Sequence, residues 1–514
     1  MDSTTLRVGS GPVLLVDRRL IAASSGVTQR WHELERHAGG PVIAADRPWE
    51  QTPYFTYSNY HVMRDPADGR IKCFYEDLGE VKPHGPHPKL TRLLLAESED
   101  GLHFHKPELD VVEHEGRPTN IVMGYALGQP ASPANPWAEQ GVHSNGVVID
   151  PHAARPDERW RTIFTRYTVR DDGSTGTATQ CAHSPDGIHW QPYDQPPSIG
   201  TSGQHLGDVS CVFYDEDARL FVQNTRYAGM GHVAGTGRLP KAANWGCVTY
   251  PFQPHMENRR RVFQTHSHDF LHWSEPRLVA GPDDAIDNLD EYHYGMGQFR
   301  VGRHTFATLG VFRHVDSEMH VRLLHSDDGV RFSPLHNARP WLAPRGEGYW
   351  DARMVSLTSP PLRIGDRWHF YHGGTRAHHD WWMSGGELPD VPEAEHPAEH
   401  AKFGLGLATL RVNGFASIEA CWPRPGWFQT RPLHTTGRRL TLNARCEPGG
   451  SIRVALIAPD GTVIQSAEHC DAFTGDAVEH TVTWNGQADF VQRGWQAVRF
   501  HLDRAEVFSL QFEE

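Results

Sequence analysis

The chain has 514 residues with a formal net charge of −14, and 38% of its residues are hydrophobic. This length suits one large repeat domain with a smaller partner domain, and the negative charge argues against a nucleic-acid or anionic-membrane partner. Seven cysteines without C-x-x-C spacing, no signal peptide and no run of about 18 apolar residues predict a cytoplasmic protein without a membrane span.

The first predicted element lies in residues 12–36. It consists of the apolar run Val13-Leu14-Leu15-Val16-Asp17 followed by Arg30-Trp31-His32. We expect this segment to add an outer strand to the last unit of a ring, because pairing the two chain ends removes exposed sheet edges.

Five segments then share one pattern. Each begins polar, becomes apolar and small, reaches a turn and continues into an aromatic-rich strand. They are residues 57–66, 142–151, 207–216, 292–301 and 350–365. This pattern is typical of the innermost strand of a propeller blade and its neighbour, because the crowded axis accepts small residues.

A tight turn recurs after strand-like runs. The copies are residues 98–104 (SEDGLHF), 184–190 (SPDGIHW), 267–273 (SHDFLHW) and 326–332 (SDDGVRF). An Asp-Gly pair favours a tight turn because glycine adopts positive φ without steric cost. Hairpins repeated at this spacing indicate a radial array. We therefore predict an all-β chain with a five-bladed β-propeller.

Two insertions interrupt the repeats, at residues 228–262 and 377–400, and the second is a candidate lid over the site. From about residue 423 the strands alternate apolar and polar residues, which indicates an antiparallel sandwich. We predict a propeller domain at 1–420 and a C-terminal β-sandwich at 421–514.

The first residues of the five inner strands should face the axial funnel. Acids from three units are expected to meet there and to carry the catalysis, namely Asp208, Glu291 and Asp351. The predicted substrate contacts are His61, His143, Asn145, Asp290, Tyr292, His293, Trp350, Arg353, His372 and the lid residue Trp381. Converging carboxylates cannot all ionise freely, so one can act as an acid and another as a base or nucleophile, as glycoside hydrolysis requires.

The chain has 34 histidines but no ligand spacing such as H-E-x-x-H. We therefore predict neither a catalytic metal nor a cofactor, while a structural Ca²⁺ or Na⁺ in the channel is left open.

Several segments resemble a known group of proteins. They are LLVDRRLIAASSGVTQRWHE, AESEDGLHFHKPEL, GDVSCVFYDE, FGLGLATLRVNGFASIEA and AEVFSLQF. They are similar to bacterial proteins described as glycoside hydrolase family 32-like, within the clan of families 32, 43, 62 and 68. The resemblance implies a five-bladed propeller, a C-terminal sandwich and activity on sugars.

The catalytic motifs of family 32 do not carry over. The W-M-N-D-P motif is absent, Arg64-Asp65-Pro66 lies at the wrong end of its strand to be the R-D-P motif, and Glu419-Ala420-Cys421 follows the last blade. Fructan chemistry is therefore not implied, and we interpret Asp65, Asp150 and Asp215 as structural turn residues.

We expect an exo-acting glycoside hydrolase on a small carbohydrate, with Glu291 as general acid and Asp208 as nucleophile or base, two roles that are interchangeable. Asp351 would hold sugar hydroxyls, helped by Arg353, His143 and Asn145. One alternative is a lyase that uses His293, His143 and Tyr292 around a uronate bound by Arg353. Another is a sugar-binding propeller without chemistry, and homo-oligomerisation is left open.

Overall fold

The structure is a computed structural model that describes residues 6–9, 11–79, 81–82, 85–86, 90–169, 175–200, 209–226, 260–288, 290–313, 316–379, 402–420, 423–490 and 494–513. These ranges contain β-strands and three short 3₁₀ helices (Arg18–Leu20, Pro156–Glu158 and His336–Ala338) but no α-helix. The predicted all-β class is confirmed. Within the same ranges, no helix has the length and apolar character needed to cross a membrane.

Five antiparallel units follow one another along the chain, and in each the first strand pairs with the second and the second with the third. The three strands are Tyr60–Arg64, Ile71–Asp77 and Arg92–Ser98 in unit one; Gly141–Ile149, Trp160–Val169 and Thr175–Ser184 in unit two; Ser210–Asp215, Leu220–Thr225 and Val262–Ser267 in unit three; Glu291–Val301, His304–Arg313 and Glu318–Ser326 in unit four; and Met354–Ser356, Arg367–Thr375 and Phe403–Arg411 in unit five.

Shorter strands extend these units or form small hairpins beside them. They are Pro53–Tyr54 and Ile121–Gly124 in unit one, Gln191–Pro192 in unit two, Ser198–Ile199, His272–Trp273 and Arg277–Ala280 in unit three, Ser333–Pro334 in unit four, Leu362–Ile364 in unit five, and the hairpins Val81–Lys82 with Gly85–Pro86 and Leu109–His114 with Arg117–Thr119.

The first strands of successive units contact each other from unit one through unit four. Units four and five are joined by parallel pairing of Met319 with Met354. Unit one contacts unit five in turn, because the Tyr60 hydroxyl donates to the backbone oxygen of Ser356 at 2.8 Å. A propeller requires contacts in this order, and the five-bladed propeller itself stays a prediction.

Tyr57 reaches from unit one into unit four. The side chain is fully buried, and its hydroxyl donates to the Thr308 carbonyl oxygen at 3.2 Å. A Cβ atom placed on Gly295 would lie 2.8 Å from the tyrosine, and one placed on Gly310 would lie 2.3 Å from its ring. Glycine at both positions therefore makes room for this ring, as the small residues of the sequence pattern suggest.

The recurring tight turns are confirmed. Ser184 Oγ accepts a hydrogen bond from the Gly187 N–H at 2.9 Å, and Asp186 Oδ1 accepts from the next two backbone N–H groups. The other three copies make the same bonds. Where the other copies have glycine at positive φ, the third copy has Phe270 at φ 72°, so its serine and aspartate hold a non-glycine residue in a strained conformation.

Eleven further strands of the described residues form one sheet. They are Leu6–Arg7, Val13–Leu14, Ile21–Ser25, Val27–Trp31, Ala416–Ala420, Gly426–Thr430, Leu433–Thr435, Arg439–Ile457, Val463–Gln465, Asp476–Thr481 and Gly494–Glu513. Long strands dominate it, and Leu440, Val454 and Phe500 are among the residues of its apolar core.

The amino-terminal segment divides between two sheets. Val27–Trp31 pairs with Ala416–Ala420 in the carboxyl-terminal sheet, whereas Glu35–Arg36 and Ile43–Ala44 pair with Phe403–Arg411, the third strand of unit five. The outer strand that we expected from residues 12–36 is thus formed at Glu35–Arg36, and residues 13–31 lie with the carboxyl-terminal sheet. The division into domains at residue 420 and the sandwich stay predictions.

Candidate functional site

The end of the units at which the first strands begin carries two strained residues. Ser58 and Ser144 adopt φ values of 66° and 56°. Each precedes an asparagine, which lies just before the first strand in unit one and within the first strand in unit two. In unit two the pairing with the second strand shifts register between His143 and Gly146, and a similar shift interrupts unit four. Bulges and left-handed non-glycine residues aim side chains away from the regular pleat and cluster at functional sites.

Glu76 joins units one and two at this end. Its side chain has no exposed surface. Oε1 accepts from His143 Nδ1 at 2.5 Å, while Oε2 accepts from Asn59 Nδ2 at 2.5 Å and from the Ser144 N–H at 3.0 Å. The strained serine therefore supplies a backbone donor to a fully buried acid, and the bulge also brings the histidine to it.

His143 extends from this acid towards the surface. Its side chain is 15% exposed, and its ring centroid lies 5.6 Å from that of Tyr167 on the neighbouring strand. The predicted contact Asn145 stays within its own unit, where Nδ2 donates to the Val142 carbonyl at 3.3 Å. The structure thus brings His143 together with Glu76, a residue that the sequence reasoning missed.

Asp77, the next residue, has a different environment. Arg92 donates to its Oδ2 through Nε at 2.9 Å and Nη2 at 2.7 Å, and the Thr52 N–H donates to Oδ1 at 2.6 Å. This buried ion pair, in which one carboxylate oxygen accepts two guanidinium N–H groups, anchors the second strand of unit one. Of the two consecutive acids, only Glu76 is bonded to a histidine in these contacts.

Unit four contributes a second group of polar side chains. Glu291 is buried, and its Oε2 accepts from Arg322 Nη2 and from the Asn288 N–H, each at 2.9 Å. Arg322 also contacts Asp287, whose Oδ2 lies 3.4 Å from His293 Nε2. Burial raises the pKa of Asp287, but hydrogen bonds from His293, a backbone N–H and Arg322 outweigh it and hold that pKa well below its usual value.

Asp351 belongs to a third group, in unit five. Its side chain has no exposed surface; Oδ1 accepts from Arg345 Nε at 2.6 Å, and Arg36 Nε lies 3.5 Å from Oδ2. Trp350 stacks on His372 with ring centroids 5.5 Å apart, and burial lowers the pKa of His372 to about 4. A carboxylate enclosed between two guanidinium groups favours a structural role over contact with a substrate.

His61 lies deeper between the units. Burial lowers its pKa to about 3. It lines a cavity of 440 Å³ together with Ile149 and Tyr214, which lie near the far ends of the first strands of units two and three. The cavity therefore opens at the end opposite to Glu76 and Glu291, and His61 contributes to that end.

The other predicted contacts lie near the strand starts. Asp290 forms an ion pair with Arg313 at 3.6 Å, and Arg353 pairs with Glu318 at 2.7 Å and with Glu347. Tyr292 is buried at the start of the first strand of unit four.

Two predicted residues, Asp208 and Trp381, lie outside the described residues, as do most of the two insertions. In the ranges that are described, no group of three or more His, Cys, Asp or Glu side chains could hold a metal ion. The expectation of no cofactor stays a prediction.

No protein-family model and no curated protein matches the chain. Similar solved structures include an N-acetylgalactosamine deacetylase from F. plautii in complex with blood group B trisaccharide, at 15% identity and a TM-score of 0.44 over 74% of this chain and 95% of that one. A β-1,2-mannobiose phosphorylase from Listeria innocua has 11% identity and a TM-score of 0.44 over 75% and 98% of the two chains. A glycoside hydrolase has 12% identity and a TM-score of 0.41 over 74% and 92%.

The similar structures thus include glycoside hydrolases and a phosphorylase. At these identities and TM-scores they assign neither an activity nor a residue's role to this chain. The resemblance to families 32 and 43 stays a prediction.

Proposed function

We propose that this protein is an exo-acting glycoside hydrolase with a five-bladed propeller, a C-terminal sandwich and a site at the end where the first strands begin. The observation that carries the proposal is a pair of buried acids at the start of the first strand of unit four. These acids, Asp287 and Glu291, both bond to Arg322. Acids gathered in a partly enclosed place are what glycoside hydrolysis requires.

The contacts of Glu291 favour one of the two interchangeable roles. Because Glu291 forms an ion pair with Arg322 at 2.9 Å, it suits the base or nucleophile better than the proton donor. In this proposal Asp208 becomes the general acid, reversing the first assignment. Asp351 then holds the loop before unit five through Arg345 and Arg36.

A lyase is the second candidate, because two histidines at this end each lie against a buried acid. His143 contacts Glu76 at 2.5 Å, and His293 lies 3.4 Å from Asp287. A carboxylate that orients an imidazole is a common arrangement for acid–base catalysis. The lyase would leave an unsaturated, ultraviolet-absorbing uronate, and the hydrolase would not.

The test is incubation with a panel of p-nitrophenyl glycosides, plant oligosaccharides and uronate-containing oligosaccharides, with released sugars and ultraviolet absorbance both recorded. Glu291→Gln should lower kcat by on the order of 10² to 10⁴. The matched control is Glu479→Gln, an exposed acid of the carboxyl-terminal sheet, which should keep full activity. Activity on no glycoside, or an unchanged rate in Glu291→Gln, would refute the hydrolase, and an absorbing product would establish the lyase.

A further inference from the structure

We propose that His304 and His325 form a pH-sensitive joint between the amino-terminal segment and unit four. The neutral pair of rings holds the backbone at Leu14, and one added proton reverses that contact. The joint lies at the end of unit four opposite to Glu291, because His304 pairs with Val301, the last residue of the first strand, whereas Glu291 is the first. The inference therefore goes beyond the proposed function and uses none of its residues.

The segment that this pair holds lies between two apolar cores. Val13 and Leu15 belong to the core of the carboxyl-terminal sheet, whereas Leu14 and Val16 belong to a core that includes side chains of unit four. The backbone N–H groups alternate in the same way. The Leu15 N–H donates to the Phe508 carbonyl oxygen within the sheet at 3.4 Å, and the Leu14 N–H points to unit four. The partner of the Leu14 N–H thus connects the sheet to unit four.

The contacts of the two rings fix where their protons lie. The Leu14 N–H donates to His304 Nε2 at 3.4 Å, and His304 Nδ1 lies 2.9 Å from His325 Nε2. A backbone N–H only donates, so His304 Nε2 must be the nitrogen without a proton. His304 Nδ1 then carries the proton and donates to His325 Nε2, which leaves the proton of His325 on Nδ1. This arrangement satisfies both contacts with two neutral rings.

A third proton on the pair removes that arrangement. Two of the four ring nitrogens face each other and share one proton, and the outer two are His304 Nε2 and His325 Nδ1. When either ring takes up a further proton, both outer nitrogens carry one, so His304 Nε2–H faces the Leu14 N–H. Two buried donors that face each other lose their hydrogen bond. Separating the rings instead would leave the buried His304 Nδ1–H without its acceptor.

Four charged residues surround the pair. Asp17 and Arg19 belong to the amino-terminal segment, and Arg303 and Asp327 belong to unit four. Arg19 bonds to Asp17 at 2.9 Å and to Asp327 at 3.2 Å; Asp327 also lies 3.5 Å from Arg303 and 3.9 Å from His325 Nε2. Both acids are thus paired with arginines, and burial lowers the pKa of both histidines. The pair is therefore neutral, and the joint closed, at pH 7.

The joint should loosen in acid. When the segment separates from unit four, the two rings regain water and the ordinary histidine pKa of about 6.5. The separated state then binds protons that the closed state does not, so the equilibrium shifts towards separation as the pH falls below that value. For one proton, the population of the separated state should rise about 30-fold between pH 7.5 and pH 5.

The assay is hydrogen–deuterium exchange of the full chain, measured by mass spectrometry on peptides that cover residues 11–20. Protection factors at pH 7.5 and pH 5 are compared after dividing out the intrinsic exchange rate at each pH, and residues 440–446 report general unfolding. Relative to that reference, the wild-type protein should lose about 10- to 30-fold of its protection at Leu14 in acid. Equal relative protection at the two pH values overturns the joint.

The double variant His304→Gln/His325→Gln tests whether these two rings carry the effect. A glutamine has both a carbonyl oxygen and an NH₂, so two of them can form the same chain of hydrogen bonds without taking up a proton. The change of protection with pH should fall below about 2-fold. The matched control is His266→Gln, because burial also lowers the pKa of this histidine in unit three; it should keep the wild-type response. A double variant that keeps the full response overturns the proposal.

A second measurement keeps the proposal testable where the double variant fails to fold. Long-range ¹H–¹⁵N spectra of protein with ¹⁵N-labelled histidine distinguish a ring nitrogen that carries a proton from one that does not, and each ring is assigned by its loss in the single variant. Both rings should be Nδ1–H tautomers at pH 7.5, and a proton on His304 Nε2 at that pH overturns the joint. Neither measurement uses a sugar, so failure of the joint and failure of the hydrolase proposal are separate results.

Discussion

Replacing Asp65 by asparagine tests whether the aspartate of the Arg64-Asp65-Pro66 sequence stabilises the fold or takes part in catalysis. The Asp65 side chain is 1% exposed and contacts Lys72 Nζ at 2.8 Å and Arg159 at 2.5 and 3.1 Å. Lys72 and Arg159 belong to units one and two, and both cations also lie about 5.5 Å from the ring of Trp160. The acid therefore connects two units.

The expected loss follows from what the asparagine would leave behind. Lys72 is 5% exposed, so removing Asp65 leaves a buried ammonium group whose remaining carboxylate partner is the partly exposed Asp68, at 3.3 Å. Breaking a buried ion pair in this way costs about 3–5 kcal/mol of the free energy of unfolding. Because Arg159 is 25% exposed and keeps part of its hydration, the lower half of that range is expected.

The pKa of Asp65 determines how the stabilisation by its ion pairs depends on pH. Burial raises the pKa of Asp65, but hydrogen bonds from Arg159 and Lys72 outweigh it and hold the pKa well below its usual value. The stabilisation is therefore complete above the unfolded pKa of about 3.9 and is lost as the pH falls towards the folded pKa. The difference in stability between wild type and Asp65→Asn should shrink below about pH 4.

The assay is urea denaturation followed by tryptophan fluorescence, with turnover measured at a temperature where both proteins are folded. A loss below about 1 kcal/mol at pH 7, or a difference that does not change with pH, would refute the ion-pair reasoning. Activity that vanishes while the variant remains folded would return this aspartate to the catalytic candidates.

Three further predictions concern single sites. Gly373→Ala should cost more than about 3 kcal/mol or prevent folding, because the new Cβ would lie 1.9 Å from the Phe55 carbonyl oxygen; thermal melting by circular dichroism measures this. His189→Ala should destabilise by about 0.5 kcal/mol at pH 5.5 and by less at pH 8.5, since the hydrogen bond to Asp186 raises the pKa of this half-exposed histidine and its stabilisation fades as the pH rises through that pKa; denaturation at both pH values tests it. Cys211 should react with a thiol reagent only after unfolding, because burial raises its pKa to about 12; equal labelling of the native protein would contradict this.

The architecture was largely predictable where local chemistry determines it. The turn at Ser184 could be read directly, because its serine, aspartate and glycine bond to backbone groups within a few residues. The amino-terminal segment was harder to assign, because Val27–Trp31 and Glu35–Arg36 both find partners near residue 410 but in different sheets. The local sequence pattern does not distinguish between two sheet edges that can both accept a strand.

The site was less predictable, for two physical reasons. Glu76 lies one residue before the end of a buried strand, and nothing nearby in the sequence indicates that it contacts a histidine 67 residues away. Asp351 lies just before the first strand of unit five, Met354–Ser356, and its side chain faces Arg36 of the outermost strand. Successive side chains of a strand alternate between faces, so knowing where a strand begins does not decide which of its first residues face the axis.

The bonds of Tyr60 have a consequence for the chain as it leaves the ribosome. Its hydroxyl donates to the carbonyl oxygens of Ser356 and Tyr371, which are made 296 and 311 residues later. At synthesis rates of about 5–20 residues per second, unit one waits roughly 15–60 s for its last partners. During that interval the tyrosine, which is fully buried in the folded protein, has no native neighbours from unit five. Lower growth temperatures and chaperones that hold unfolded chains should therefore raise the yield of folded protein.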